Sequence, residues 1–394
     1  MVTLGSSKAT ILAMGCLIAS CAFAASENDG FNDGIDRSDP NFVKASLVVV
    51  SPGNELLTCM GHIAIRLECE TFKLDNCFSY ESERVLDKVF TYFAGKLKMG
   101  MFAVDAKEYL GLYAGEGRGV WLYPLNLPPA VKQRLWKIMD DLVAEGPNVP
   151  YDYDKRGCVK AAWKCILEAL GMTEQDAAKW YHTPPTTQRE RTSDVLKKTY
   201  PWNRFFLHAM VGTEVDDVDD VVVPNDIVAA LSALKVDGVP VLAGGPVELY
   251  PLRRTDLDPA FTPLVAAGIV AALLAALCFV KNQWVDFSVV ALHSALGLVF
   301  AYMFAALCLT KGSWNLLALP FNPLPVLCWK WRRKWALPFA GFLLAWEAFM
   351  VLYPHQLTDP AFLVLTAGLI VFYLKIAMRR KNKELELLNH SKQI

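Results

Sequence analysis

The apolar residues of this chain are concentrated in its C-terminal third, and this distribution limits the possible folds more than any other feature. After Pro259, four apolar blocks are each long enough to cross a bilayer as a helix, which takes about 20 residues. A fifth block at 314–329 is interrupted by three prolines, so it fits a bent span or a re-entrant segment. We therefore predict a transmembrane domain of about five helices over 259–380 and a tail over 381–394. The four long blocks are "FTPLVAAGIVAALLAALCFV", "FSVVALHSALGLVFAYMFAALCL", "ALPFAGFLLAWEAFMVLY" and "AFLVLTAGLIVFYLKIAM".

Residues 1–24 have the pattern of an export signal. Lys8 is followed by the apolar run "ATILAMGCLIAS" and then by "AFA", whose small residues predict cleavage after Ala24. The stretch "IASC" allows a second interpretation, in which Cys21 becomes a lipidated N-terminus. Under either interpretation, residues 25–258 are exported.

Two clusters of basic residues predict the topology of the membrane domain. The segments "WKWRRKW" at 329–335 and "RRKNK" at 379–383 lie beside apolar blocks, and basic segments of this kind face the cytoplasm. An exported domain followed by five crossings then ends with a cytoplasmic C-terminus. The whole chain has a net charge of −1, and outside these two membrane-flanking clusters no basic patch of the kind that binds nucleic acid is found, so we expect no nucleic-acid partner.

The exported segment alternates strand and helix patterns. "ASLVVVSPG", "GHIAIRLE" and "NCFSYE" are typical of strands. "AVKQRLWKIMDDLVAE" and "CVKAAWKCILEALG" have the spacing of helices. This mixture predicts an α+β domain. Cys69 and Cys77 flank a predicted hairpin connection, and we expect a disulfide across it.

One cysteine and one histidine of this domain have the placement that thiol catalysis requires. Cys158 is predicted to begin a helix, where the positive end of the helix dipole favours a thiolate. A thiolate nucleophile needs a base, for which histidine is the usual residue. Among His62, His182 and His208, only His62 stands at the head of a regular strand. A strand histidine by itself is most often a packing residue, so the hypothesis depends on the pair.

The order of these two residues resembles a known arrangement. A histidine on a strand followed by a cysteine at a helix start is similar to the permuted papain-like site of the lecithin:retinol acyltransferase group. More widely, the chain resembles the Lnb-type family of Bacteroidota. The stretches that carry this resemblance are "GNELLTCMGHIAIRL", "FTYFAGKL", "YPLNLP" with "YDYDKRGC", "PWNRFFLHAMVGTEVDD" and "GSWNLLALPFNPLPVL".

The resemblance implies both a fold and an activity. The fold is a circularly permuted papain-like periplasmic domain followed by an all-α transmembrane bundle in the bacterial inner membrane. The activity is transfer of an acyl chain from phospholipid, through a thioester on Cys158, to the N-terminal α-amine of a diacylated lipoprotein. Membrane lipids are implied as further partners, and no metal or cofactor is implied. The chain departs from the family pattern directly before Cys158. The pattern has an asparagine at this position, whereas this chain has Gly157.

Four further residues are candidates for orienting or assisting His62. Tyr80 matches a tyrosine of the family pattern and is predicted to orient His62. Ser79 and Glu81, on the other face of that strand, are the alternatives for this role. Glu55 lies in the loop that enters the histidine strand and is a second candidate for orienting or assisting it.

Two residues are predicted to bind substrate. Arg66 shares a strand face with His62 and would hold a phosphate head group, although strand arginines are common. Asn315, in "GSWNLL", is predicted at the outer membrane interface, where it would contact substrate or only cap a helix. Two rival functions stay open. One is a cysteine hydrolase that uses the same Cys158–His62 pair on cell wall or lipid, and the other is a non-catalytic membrane assembly factor whose papain-like domain only binds.

Overall fold

The computed structural model divides into two compact units. The first comprises Met1–Val195 with Val218–Asp256, and the second comprises Leu196–Asp217 with Leu257–Ile394. The residues that the structure describes are 34–54, 58–82, 91, 96–150, 157–181, 186–197, 201–216, 221–242, 244–253, 261–311, 314–353, 356 and 359–391.

The elements follow the chain in this order. The strands are β1 (Lys44–Val50), β2 (His62–Cys69), β3 (Leu74–Ser82), β4 (Lys98–Asp105), β5 (Val120–Pro124), β6 (Val149–Pro150), β7 (Lys235–Val236), β8 (Val239–Pro240) and β9 (Val247–Tyr250). The helices are α1 (Ala106–Gly115), α2 (Pro129–Glu145), α3 (Cys158–Leu170), α4 (Glu174–Ala177), α5 (Gln188–Lys197), α6 (Pro201–Met210), α7 (Pro224–Ala233), α8 (Pro263–Leu277), α9 (Gln283–Lys311), α10 (Leu324–Leu327), α11 (Arg332–Leu352) and α12 (Ala361–Ser391).

The first unit is built on a seven-stranded sheet with the order β6-β4-β3-β2-β1-β5-β9. Every pairing in this sheet is antiparallel. The predicted α+β class is therefore confirmed as a mixed α/β unit with an antiparallel sheet. The permuted papain-like topology stays a prediction.

Both faces of the sheet centre are covered, which explains the unbroken apolar run of β1. Leu47 and Val49 belong to the core cluster that also contains residues of α2 and α3. Val48 and Val50 belong to a second cluster, which contains Tyr109 and Leu110 of α1. A strand buried on both faces is apolar at successive positions rather than at alternate ones. The candidate site described below lies at one end of β1 and of its neighbour β2.

The expected disulfide between Cys69 and Cys77 is not formed. Both are buried free thiols, and Cys69 belongs to the core cluster of α2 and α3 while Cys77 belongs to the cluster of α1. In the β2–β3 register Cys69 pairs with Leu74, and Cys77 pairs with Arg66. Because neighbouring positions of a strand point to opposite faces, the sheet separates the two thiols.

The second unit is helical and apolar. Three of its described helices contain segments long and apolar enough to cross a membrane: Gln283–Ala306, Lys334–Leu352 and Ala361–Arg379. Pro263–Leu277 is a shorter apolar helix. The proline-rich block forms the turns Leu316–Ala318 and Trp329–Trp331 around the four-residue α10. This block is therefore not one continuous helix. The prediction of about five crossings stays a prediction.

Residues 196–217, which we expected to belong to the exported segment, pack within the second unit. The ring of Phe205 in α6 stacks on that of Phe362 in α12, with centroids 4.4 Å apart. Arg204 Nη2 lies 3.1 Å from the buried carboxylate of Asp359. α6 is thus held to the apolar helices by both aromatic packing and an ion pair.

Candidate active site

His62 is fixed at the first position of β2 by the turn that precedes it. Gly61 has a φ of +82°, a backbone conformation that residues other than glycine rarely adopt. A Cβ at Gly61 would lie 2.9 Å from the carbonyl oxygen of Val50. His62 then pairs with Val50 across the β1–β2 ladder, and its side chain is 18% exposed. The sheet therefore holds the imidazole at the start of β2, where it is partly exposed.

Cys158 is the first residue of α3, as predicted. Gly157 is the N-cap residue and provides no capping side chain. The buried face of α3 includes Ala162, Cys165 and Ile166, which join the core cluster on the sheet. Packing of this face brings the start of the helix to the start of β2, where the thiol of Cys158 hydrogen-bonds the ring of His62. The structure thus brings together the two residues on which the sequence hypothesis depends.

The surroundings of Cys158 favour a thiolate. Burial alone would raise the pKa of this thiol. The charge of His62, its hydrogen bond, and the backbone N–H groups of Ile63 and Val159 act in the opposite sense and lower the pKa of Cys158 below its ordinary value. For His62, burial lowers the pKa, but the Cys158 thiolate and the Glu81 carboxylate outweigh burial and raise it. The two shifts together describe a thiolate–imidazolium pair.

Ser79 selects the tautomer of His62. The Oγ of Ser79 lies 2.7 Å from His62 Nε2, and it donates to Glu81 Oε1 at 2.9 Å. Because the single hydroxyl hydrogen goes to Glu81, Ser79 accepts from His62, and Nε2 therefore carries a hydrogen. This arrangement leaves Nδ1 for the thiol. Ser79 is fully buried, so the orientation of the ring does not depend on water.

Two tyrosines of α1 complete the hydrogen-bond network. Tyr113 donates to the hydroxyl oxygen of Tyr109 at 3.1 Å, and Tyr109 hydrogen-bonds Ser79. The ring of Tyr113 lies 6.1 Å from that of His62 between centroids. Burial raises the pKa of both tyrosine hydroxyls, so both stay neutral and retain their hydrogens. The available sequence signal was their spacing of four residues, which puts both on one helix face.

The residue of β3 that hydrogen-bonds the ring of His62 is Ser79, not Tyr80. Tyr80 follows Ser79 in β3, so its side chain lies on the other face and packs against the core cluster of α2 and α3. Participation of Tyr80 in catalysis stays a prediction. Glu81, the second alternative, lies 3.9 Å from His62 Nε2 and acts on it mainly through Ser79. Glu55 lies outside the described residues.

The two predicted substrate-binding residues both have structural partners. Arg66 makes a two-pronged ion pair with Asp75, with both contacts at 2.8 Å, and lies 3.0 Å from Glu68. Its charge is thus matched by carboxylates, which weakens it as a phosphate ligand.

Asn315 is fully buried in the second unit and caps the turn that follows it. Its Nδ2 donates to the carbonyl oxygen of Ala209 at 2.8 Å, and its Oδ1 accepts from the N–H of Leu317 at 3.0 Å. The sequence left two roles open for Asn315, substrate contact and helix capping, and the geometry favours capping. A contact between Asn315 and substrate stays a prediction.

Comparison with known proteins gives a match in the first unit. Residues 31–189 match the model of the Lnb N-terminal periplasmic domain. The match spans β1 to α4, so it includes His62, Ser79 and Cys158. No curated protein and no solved structure matches the chain. Over residues 31–189 the chain is therefore similar to the Lnb N-terminal periplasmic domain, and its described residues also include three apolar helices long enough to cross a membrane.

Proposed function

We propose that this protein is a thiol-dependent acyltransferase that moves an acyl chain from phospholipid to the N-terminal α-amine of diacylated lipoproteins. The observation that carries the proposal is the hydrogen-bonded set Cys158, His62 and Ser79 in the periplasmic domain of a membrane protein. The resemblance to permuted papain-like enzymes supports the same roles. The basic segments support a cytoplasmic C-terminus in the bacterial inner membrane.

The first half of the reaction forms a thioester. The thiolate of Cys158 bonds to the ester carbonyl carbon, and the ester C–O bond then breaks. The imidazolium of His62 gives its proton to the leaving alcohol. Negative charge on the carbonyl oxygen is stabilised by backbone N–H groups at the start of α3, which no side chain of Gly157 caps. This helix start offsets the missing asparagine of the family pattern.

The second half transfers the acyl group to the amine. The α-amine of the lipoprotein attacks the thioester carbon and gives one proton to neutral His62. The C–S bond breaks, which restores the thiolate of Cys158 and the imidazolium of His62. Ser79 keeps a hydrogen on Nε2 throughout, so the same Nδ1 both donates and accepts.

The test uses the full chain in phospholipid vesicles together with a diacylated lipoprotein peptide. We expect the intact mass to increase by one acyl group on Cys158, and the peptide then to gain an amide-linked acyl chain. Cys158→Ala removes both products. Cys165→Ala is the matched control, because it removes a thiol from the same helix whose pKa burial raises to about 12.

Three outcomes contradict the proposal. Release of free fatty acid without peptide acylation indicates a hydrolase. Peptide acylation that persists in Cys158→Ala excludes the thioester route. Cells that lack this protein and any redundant enzyme should carry lipoproteins with free α-amines, and fully N-acylated lipoproteins in such cells would exclude the acyltransferase activity.

A further inference from the structure

Arg118 is a buried cation near His62 whose charge is only partly balanced by the residues described. It lies between α1 and β5, and its side chain is 3% exposed. Its Nε donates to the carbonyl oxygen of Ser51 at 2.8 Å. Its Nη1 lies 3.4 Å from Oε2 of Glu116, but that carboxylate is 55% exposed. Water screens an ion pair of this kind, so the guanidinium keeps most of its positive potential.

The third nitrogen of this guanidinium, Nη2, is buried and has no hydrogen-bond partner within the described part of the chain. Buried donors are nearly always paired, because an unpaired donor has lost its hydration without replacement. A guanidinium whose other nitrogens are already anchored is well suited to bind an anionic oxygen, since its planar fork matches phosphate and carboxylate groups.

Arg118 contacts two residues that adjoin His62. Its guanidinium carbon lies 4.8 Å from the ring centroid of Tyr113, and that centroid lies 6.1 Å from the centroid of His62. Ser51, which anchors Nε, directly follows Val50, the ladder partner of His62. The positive charge of Arg118 also opposes protonation of His62. An anion bound at Nη2 would relieve this repulsion and favour the catalytic imidazolium.

We propose that Arg118 binds the phosphate of a glycerophospholipid acyl donor, with Nη2 donating to a phosphate oxygen while Cys158 attacks the ester. This inference rests on the proposed acyl transfer and adds the residue that recognises the phosphate of the donor. Arg66, on the same strand face as His62, is less suited to the task because Asp75 and Glu68 already neutralise it.

The experiment compares two donors that carry identical acyl chains. One is a phosphatidylethanolamine and the other is the corresponding diacylglycerol, which lacks phosphate. The full chain is assayed in detergent micelles that contain either donor, and the rate of thioester formation on Cys158 is followed by intact mass. The variants are Arg118→Gln, Arg118→Lys and, as a control, Lys107→Gln, which removes an exposed positive charge from α1. Alkylation of Cys158 at neutral pH reports whether each variant keeps a folded site.

We expect wild type to prefer the phospholipid, and Arg118→Gln to raise the apparent KM for it by roughly 10- to 100-fold, the range for a hydrogen bond to a charged group. The rate with diacylglycerol should change little, Arg118→Lys should recover part of the preference, and Lys107→Gln should keep all of it. An equal loss with both donors, or an unchanged preference in Arg118→Gln, overturns the inference. Competition by millimolar inorganic phosphate as strong as that by phospholipid would assign the site to free phosphate and also overturn it. If wild type forms no thioester with either donor, the proposed function itself fails.

Discussion

At the scale of single residues, the site depends on one hydroxyl group. Ser79 donates to Glu81, so it can only accept from His62, and the hydrogen on Nε2 follows from this count. Tyr109 and Tyr113 extend the network on the side of α1. The hydrogen bond from Ser79 to Glu81 thus decides which nitrogen of His62 acts as the base.

Replacing Ser79 with alanine should slow thioester formation by roughly 10- to 100-fold, the range known for partners that fix the tautomer of a metal-bound histidine. The ring would lose its fixed tautomer while Cys158 stays in place, so thiolate alkylation should fall less than acyl transfer. Ser82→Ala is the control, because Ser82 lies on the same strand but on the other face. Equal activities of Ser79→Ala and wild type would show that Ser79 does not position His62.

The thiolate–imidazolium pair predicts a bell-shaped pH dependence of acyl transfer. The pKa of Cys158 is lowered, so the thiolate persists below the pH at which an ordinary thiol ionises. The pKa of His62 is raised, so the imidazolium persists above the ordinary value of 6.5. Activity should therefore fall on the acid side as Cys158 gains a proton, and on the alkaline side as His62 loses one.

Alkylation of Cys158 by iodoacetamide, followed by peptide mass spectrometry, measures the acid limb directly. In His62→Asn the limb should move to at least the ordinary thiol pKa of 9.0, because burial then acts without an opposing charge. Cys59, which is buried and whose pKa burial raises to about 12, should stay unmodified and serves as an internal control. An acid limb that does not move in His62→Asn would exclude the ion pair.

At the scale of elements, the site lies where a turn, a strand and a helix meet. The turn ending at Gly61 delivers His62 to the first ladder position of β2, and packing of α3 on the sheet delivers Cys158 to the same end. Neither element is unusual by itself. Their meeting point is set by the core cluster that α3 shares with β1 and β2.

Gly61→Ala should destabilise the first unit by about 1–3 kcal/mol and reduce Cys158 alkylation. The added Cβ would strain a backbone with positive φ and would press on the carbonyl oxygen of Val50, which displaces His62. Gly111→Ala is the control, since a Cβ there meets nothing within 4 Å and alanine favours the α1 helix. Thermal unfolding of the full chain, followed by tryptophan fluorescence, should show a lower Tm for Gly61→Ala and an unchanged Tm for Gly111→Ala. Equal Tm values for the two variants would contradict the strain argument.

At the scale of the whole molecule, the chain leaves the first unit and returns to it. Residues 196–217 pack in the second unit, and residues 218–256 then rejoin the first, where β9 adds the last strand of the large sheet. Within the second unit, Asn315 connects the proline-rich block to the end of α6 through Ala209. Buried polar contacts therefore hold residues 196–217 against the second unit's other elements.

Asn315→Ala tests whether this residue supports structure or binds substrate. Loss of the amide leaves the buried carbonyl of Ala209 and the N–H of Leu317 without this partner, which should cost about 1–3 kcal/mol and lower the Tm. Asn322→Ala, which removes a more exposed amide from the same block, should cost less. The KM for phospholipid should stay unchanged in both variants. A raised KM with an unchanged Tm would restore the substrate-binding role.

The sequence by itself determined the export signal hypothesis, the apolar C-terminal region, the α+β character and the candidate pair His62 and Cys158. These features are expressed locally, as hydrophobic length, as strand and helix periodicity, and as residues at element starts. The first ladder position of His62 and the helix start at Cys158 were both predictable for this reason.

Only the tertiary structure decided which residues surround that pair. Strand alternation put Ser79 rather than Tyr80 beside His62 and separated Cys69 from Cys77. Strand pairing matched Arg66 with carboxylates, while packing of α1 and the Ser51 carbonyl held Arg118 at the site. The physical reason is that hydrogen-bond partners and burial depend on which elements pack together, and that information is spread over the whole chain rather than carried by any short stretch.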